Sequence, residues 1–104
     1  MTDKESNLTK MVKKSLAKAA KKGEDLNKKV FSISYDAVVL SLRTLRNFNI
    51  TDEIKGTIEQ YVLAGIIEGA KELNISSSML AEFANLGIME GLEIGSINEA
   101  HKKV

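Results

Sequence analysis

Leu73-Asn74-Ile75-Ser76 is the stretch that decides the fold, because its pattern also occurs twenty-five positions earlier as Phe48-Asn49-Ile50-Thr51. Asparagine tolerates the left-handed conformation that ends many helices. A serine or threonine hydroxyl can cap the helix that follows, and the isoleucine between them can turn back onto a core. The two stretches therefore predict tight helix–turn–helix corners near residues 48–51 and 73–77.

Apolar residues at helical spacing extend on both sides of these corners. The spacing predicts helices over residues 7–22, 34–47, 52–73 and 77–101, and Gly23 is well placed to end the first of them. The 104 residues include no proline, the strongest helix breaker. The chain is therefore predicted to be all-α, a small bundle of about four helices.

Residues 30–35 are the least clear part of this pattern. Phe31, Ile33 and Tyr35 alternate with Ser32 and Ser34, which would also suit a short strand. We favour helix here and keep the strand as the alternative.

Charge divides the single predicted domain into two parts. Residues 1–29 hold nine lysines and four acids, a basic helical arm, whereas residues 30–104 hold four lysines, two arginines and ten acids, an acidic helical core. Cysteine is absent, which excludes disulfides and thiolate metal sites and fits a reducing compartment. No apolar run approaches the ~20 residues of a membrane span. We expect a cytoplasmic protein.

A stripe of small residues marks the last two helices. Gly65-Ile66-Ile67-Glu68-Gly69 recurs twenty-two positions later as Gly87-Ile88-Met89-Glu90-Gly91, and Gly95 continues the four-residue spacing. Each glycine inside a helix costs about 0.8–1 kcal/mol relative to alanine, so a close approach of another backbone is expected to compensate. We expect helix three to lie in this groove of helix four. A helix of another subunit or a bound ligand is the alternative.

Both of these helices carry more apolar residues than one core requires. Leu63 and Ile67 on helix three, and Leu86 and Met89 on helix four, lie away from the expected core faces. A helix that is apolar nearly all round is buried on two sides. The surplus predicts a homo-oligomer.

Residues that carry catalysis are sparse. His101 is the only histidine and there is no cysteine nucleophile, so no catalytic residue is predicted. The glycines fall inside helices and form no phosphate loop, so no cofactor is predicted. Glu68 with Glu72, and Glu90 with Glu93, lack the Glu-x-x-His partner of di-metal bundles, so no metal is predicted either.

The first helix carries the best signal for a charged partner. Its lysines are candidate anion-binding residues, namely Lys10, Lys13, Lys14, Lys18, Lys21 and Lys22. They suit an acidic protein surface or the phosphates of a nucleic acid. Residues 1–29 contain no arginine and no aromatic residue, so nucleic-acid binding is expected to be weak and nonspecific.

These features favour a noncatalytic protein-interaction or assembly module that forms a homo-oligomer. A nonspecific nucleic-acid-binding accessory protein that uses the lysine-rich helix is the first alternative. A module that binds an apolar ligand between helices three and four is the second.

Overall fold

Four helices build the chain in a computed structural model, which describes the backbone of residues 6–102 and the side chains of residues 6–94. They are α1 (Asn7–Lys21), α2 (Leu26–Thr44), α3 (Asp52–Glu72) and α4 (Ser77–Lys102). The backbone of residues 6–102 contains no strand. The prediction of an all-α bundle of about four helices is confirmed.

Helix α1 begins and ends through local hydrogen bonds that its sequence provides. The Ser6 hydroxyl accepts a bond from the Thr9 amide and so caps the N-terminus. At the other end Gly23 has φ +71°, and the amides of Gly23 and Glu24 donate to the carbonyls of Ala20 and Ala19. This is the Schellman pattern, and it confirms that Gly23 ends the helix.

Helix α2 begins earlier than the sequence predicts. Asp25 caps it by accepting a bond from the Asn27 amide, and the helix continues through residues 30–35 to Thr44. The strand alternative is therefore wrong. Val30, Ser34 and Val38 are its fully buried residues, and their four-residue spacing is helical. The boundary between the basic and the acidic part of the sequence falls inside this helix.

The two corner stretches form different junctions. Asn74 has φ +57°, and the Ile75 amide donates to the Ala70 carbonyl at 2.9 Å, so α3 ends as the sequence predicts. Asn49 is not left-handed, because Asn74 is the one non-glycine residue with positive φ among those described. Helix α2 has already ended at Thr44, and a turn carries the chain to Thr51, which caps α3.

The helices pack with α1 against α3 and α2 against α4, while α3 also contacts α4. Between described residues, α1 and α4 make no contact and so occupy opposite corners of the bundle. Val12 and Leu16 of α1 are fully buried, which shows that the basic helix is docked on the core. The remaining fully buried hydrophobic residues are Val30, Val38, Val62, Ile66, Ala70, Ala84 and Ile88.

Candidate functional site

The glycine stripe of α4 faces α2. A Cβ atom built on Gly91 would come within 2.9 Å of the Val38 Cβ and 3.1 Å of the Tyr35 carbonyl oxygen. A Cβ atom on Gly87 would collide with the Phe31 carbonyl oxygen. The groove is therefore filled from within the chain, but by α2, and the expectation that helix three lies in it is wrong. Gly95 lies in α4 beyond the side chains that the structure describes.

The glycines of α3 receive α1 in the same way. A Cβ atom on Gly65 would lie 2.7 Å from the Val12 Cβ and 2.9 Å from the Thr9 carbonyl oxygen. A Cβ atom on Gly69 would lie 3.0 Å from a methyl carbon of Leu16. Both glycine pairs are thus positions of close helix packing within one chain.

One shift of twenty-two residues relates the two crossings. Adding twenty-two to the numbers of Gly65 and Gly69 gives Gly87 and Gly91. Adding twenty-two to the numbers of the residues that contact the first pair gives the residues that contact the second pair. The corresponding contact residues are Thr9 with Phe31, Val12 with Ser34, Lys13 with Tyr35, and Leu16 with Val38. The α1–α3 pair and the α2–α4 pair are therefore two copies of one packing arrangement, of which the sequence shows only the glycine half.

The lysines of α1 divide into two groups. The Lys13 ammonium lies 2.8 Å from a carboxylate oxygen of Glu72, and its side chain is 19% exposed. Lys13 therefore belongs to the contact between α1 and α3. The other five candidate anion-binding lysines are exposed, and within residues 6–94 none of them makes an ion pair: Lys10, Lys14, Lys18, Lys21 and Lys22.

The surplus apolar residues are exposed on α4 and partly covered on α3. Leu86 and Met89 are 52% and 64% exposed, and Met79 on the same side of α4 is 57% exposed. Leu63 is half-buried against the core, and Ile67 is half-buried as well. The unsatisfied apolar surface of these two helices is therefore concentrated on α4. We call its solvent-exposed side the outer face of α4; its members are Ser78, Met79, Glu82, Asn85, Leu86, Met89, Glu90, Glu93 and Ile94.

An open apolar groove of about 610 Å³ lies where α1, α2 and α3 meet. The hydroxyls of Ser41, Thr44 and Thr57 in its wall donate to carbonyls of their own helices, which leaves the wall largely apolar. Glu53 is its one charged lining residue. The other lining residues are Asn7, Leu8, Met11, Leu40, Leu45, Ile54, Ile58 and Tyr61.

The sequence predicted a site for an apolar ligand between helices three and four. The groove lies elsewhere, between α1, α2 and α3. Three helices supply its wall, and no single helix shows it as a pattern. The exposed apolar residues Met11, Leu40 and Tyr61 were the available signal, but only the packing brings them together.

Comparison with known protein families, curated proteins and solved structures finds no match to this chain. Among the described residues, no three His, Cys, Asp or Glu side chains are grouped so that they could hold a metal ion. Of the helices in the described part of the chain, none is long and apolar enough to cross a membrane.

Proposed function

We propose that the protein is a noncatalytic assembly module that forms a homo-oligomer through the outer face of α4. The observation that carries this proposal is the exposure of Met79, Leu86 and Met89, each more than half open to solvent on one side of one helix. Fully burying a leucine or methionine side chain contributes about 1.5–3 kcal/mol. A second copy that covers all three would therefore gain several kcal/mol before the cost of association is subtracted.

The remaining residues of this face fit a subunit interface. Glu90 and Glu93 follow Met89 at one end of the apolar side chains, Glu82 lies between Met79 and Leu86, and an interface commonly combines apolar and charged residues in this way. Noncatalytic function is supported by the sequence, which provides one histidine and no cysteine from which to build a nucleophile and its base.

Sedimentation equilibrium tests the proposal. Wild-type protein should have a mass above the 11.4 kDa of one chain at tens of micromolar. The double variant Leu86→Ser/Met89→Ser should dissociate, because the apolar centre of the interface is removed. Phe48→Ser is the matched control, since Phe48 is 65% exposed but lies in the turn between α2 and α3. A single-chain mass for the wild type, or dissociation by the control alone, would overturn the proposal.

A second candidate function, binding of an apolar ligand, rests on the groove between α1, α2 and α3. Its volume of about 610 Å³ lies within the usual range of ligand pockets, roughly 300–1,000 Å³. Nile red, a neutral apolar dye, should bind there and gain fluorescence. Leu40→Lys should abolish that gain, whereas Phe48→Lys, a change at an exposed apolar residue outside the groove, should leave it intact. Equal effects of the two variants would exclude the groove.

A further inference from the structure

We propose that the oligomer is assembled head to tail, with the outer face of α4 in one copy docked on the exposed side of α1 in the next. This inference rests on the proposed assembly function and names the second surface of the same interface. We call that surface the outer face of α1; it consists of Asn7, Lys10, Met11, Lys14, Ala17, Lys18, Lys21 and Lys22, all of them exposed.

The two faces carry opposite charge. Helix α1 (Asn7–Lys21) contains five lysines and no acid, whereas residues 77–94 of α4 contain three glutamates and no lysine or arginine. Described residues of α1 and α4 make no contact with each other, and within residues 6–94 no ion pair joins the two helices, so these charges are available to a second copy. A second copy brings them together, and complementary charge favours both the encounter and its register.

The spacing of the charges also matches. Glu82, Glu90 and Glu93 are separated by eight and then three residues, as are Lys10, Lys18 and Lys21. With a rise of 1.5 Å per residue, each set spans about 16 Å of helix. The charged parts of the two faces are therefore equal in length.

The outer face of α1 also offers apolar atoms to the apolar side chains of α4. The aliphatic stem of Lys14 can cover a side chain such as Leu86 while its ammonium group stays in water. Ala17 is small and leaves room for a longer side chain such as Met89. The two faces are thus complementary both in charge and in apolar surface.

Symmetric pairing is disfavoured by the same charges. If α4 docked on α4 of a second copy, the glutamates of both would be crowded around one apolar centre, and like charges at an interface cost free energy. Docking of α1 on α1 would crowd lysines instead. The head-to-tail arrangement avoids both, and it forms a ring or an open fibre according to the rotation between copies.

Charge reversal in the full chain, measured by sedimentation, tests the arrangement. Lys10→Glu/Lys14→Glu/Lys18→Glu leaves three glutamates and two lysines on the outer face of α1 and so makes both faces acidic, and Glu82→Lys/Glu90→Lys makes both basic, so each variant alone should show the single-chain mass. An equimolar mixture should associate again, because the two kinds of copy can alternate. Lys28→Glu/Lys71→Glu reverses two exposed lysines outside both faces and should associate like the wild type.

The outcomes separate this inference from the proposed function. If Leu86→Ser/Met89→Ser dissociates the oligomer but Lys10→Glu/Lys14→Glu/Lys18→Glu does not, α4 docks elsewhere, so the inference fails and the assembly function stands. A mixture that stays at the single-chain mass also overturns the inference. A wild type with the single-chain mass overturns both.

Discussion

Gly91 lies so close to Val38 that a Cβ atom on the glycine would come within 2.9 Å of the valine Cβ. Real Cβ atoms do not approach one another this closely, so α2 and α4 can adopt this crossing only with glycine at the contact. The same holds for Gly65 against Val12 in the other helix pair. Close packing at these points offsets the helix-propensity cost of glycine.

Gly91→Ala should destabilise the protein by about 1–3 kcal/mol, because the added methyl group forces α2 and α4 apart. Gly56→Ala is the matched control, since nothing lies within 4 Å of a Cβ atom there and the backbone is helical. That change should stabilise the protein by up to about 1 kcal/mol. Urea unfolding of both variants measures the difference, and a stabilised Gly91→Ala protein would contradict the structure.

Asn74→Ala should cost about 1–2 kcal/mol, because alanine lacks the tolerance of asparagine for the left-handed region in which φ is +57°. Asn74→Gly should be at least neutral, since glycine adopts this conformation readily. Asn49→Ala is the control within the matching tetrapeptide and should have little effect, because Asn49 is not left-handed. Thermal unfolding of the three variants gives the ranking, and equal losses at the two asparagines would contradict it.

The contrast between Asn49 and Asn74 shows what the sequence could predict of the fold. The helical spacing of apolar residues correctly predicted four helices. Gly23 and Asn74 correctly predicted where α1 and α3 end. A corner depends in addition on where the preceding helix ends. Helix α2 ends at Thr44, several residues before Asn49, so the same residue types adopt another geometry there. The residue types of such a stretch therefore predict a corner only where the preceding helix continues up to that stretch.

The packing partners of the glycines could not be predicted for a related reason. A stripe such as Gly87 and Gly91 indicates that another backbone approaches but carries no information about which helix supplies it. The answer lies in the equivalence of α1 and α2, where Val12 corresponds to Ser34. These residues are not identical, so the repeat is visible only as contacts. The groove and the two charged faces likewise depend on which helices are neighbours.

Removing the buried hydroxyl groups of Thr9 and Ser34 should change the stability of the protein in opposite directions. The Thr9 hydroxyl donates to the Tyr61 carbonyl at 2.8 Å and ties α1 to α3, so Thr9→Val should cost about 0.5–1.5 kcal/mol. The Ser34 hydroxyl is fully buried and has no hydrogen-bond partner in the described structure. Ser34→Ala should therefore stabilise the protein by about 1 kcal/mol.

Denaturant unfolding measures both effects, and Thr9→Ser, which retains the hydroxyl, serves as the control for the first. If Ser34→Ala lost stability, its hydroxyl would have to make a bond that the structure does not contain. If Thr9→Val were neutral, the bond between α1 and α3 would contribute nothing to docking of the basic helix.

Replacing the exposed threonines Thr51 and Thr57 by alanine should also change the stability of the protein in opposite directions. Thr51 accepts a bond from the Ile54 amide and so satisfies a donor at the start of α3, which makes Thr51→Ala cost about 1 kcal/mol. The Thr57 hydroxyl instead donates to the Glu53 carbonyl inside the helix, where that carbonyl already has its helical partner. Alanine has the higher helix propensity, so Thr57→Ala should gain up to about 0.7 kcal/mol of stability.

Thr51→Ser, which keeps the capping oxygen, is the control and should stay close to the wild type in thermal unfolding. A loss at Thr51→Ser as large as at Thr51→Ala would mean that the methyl group, and not the cap, stabilises the start of α3.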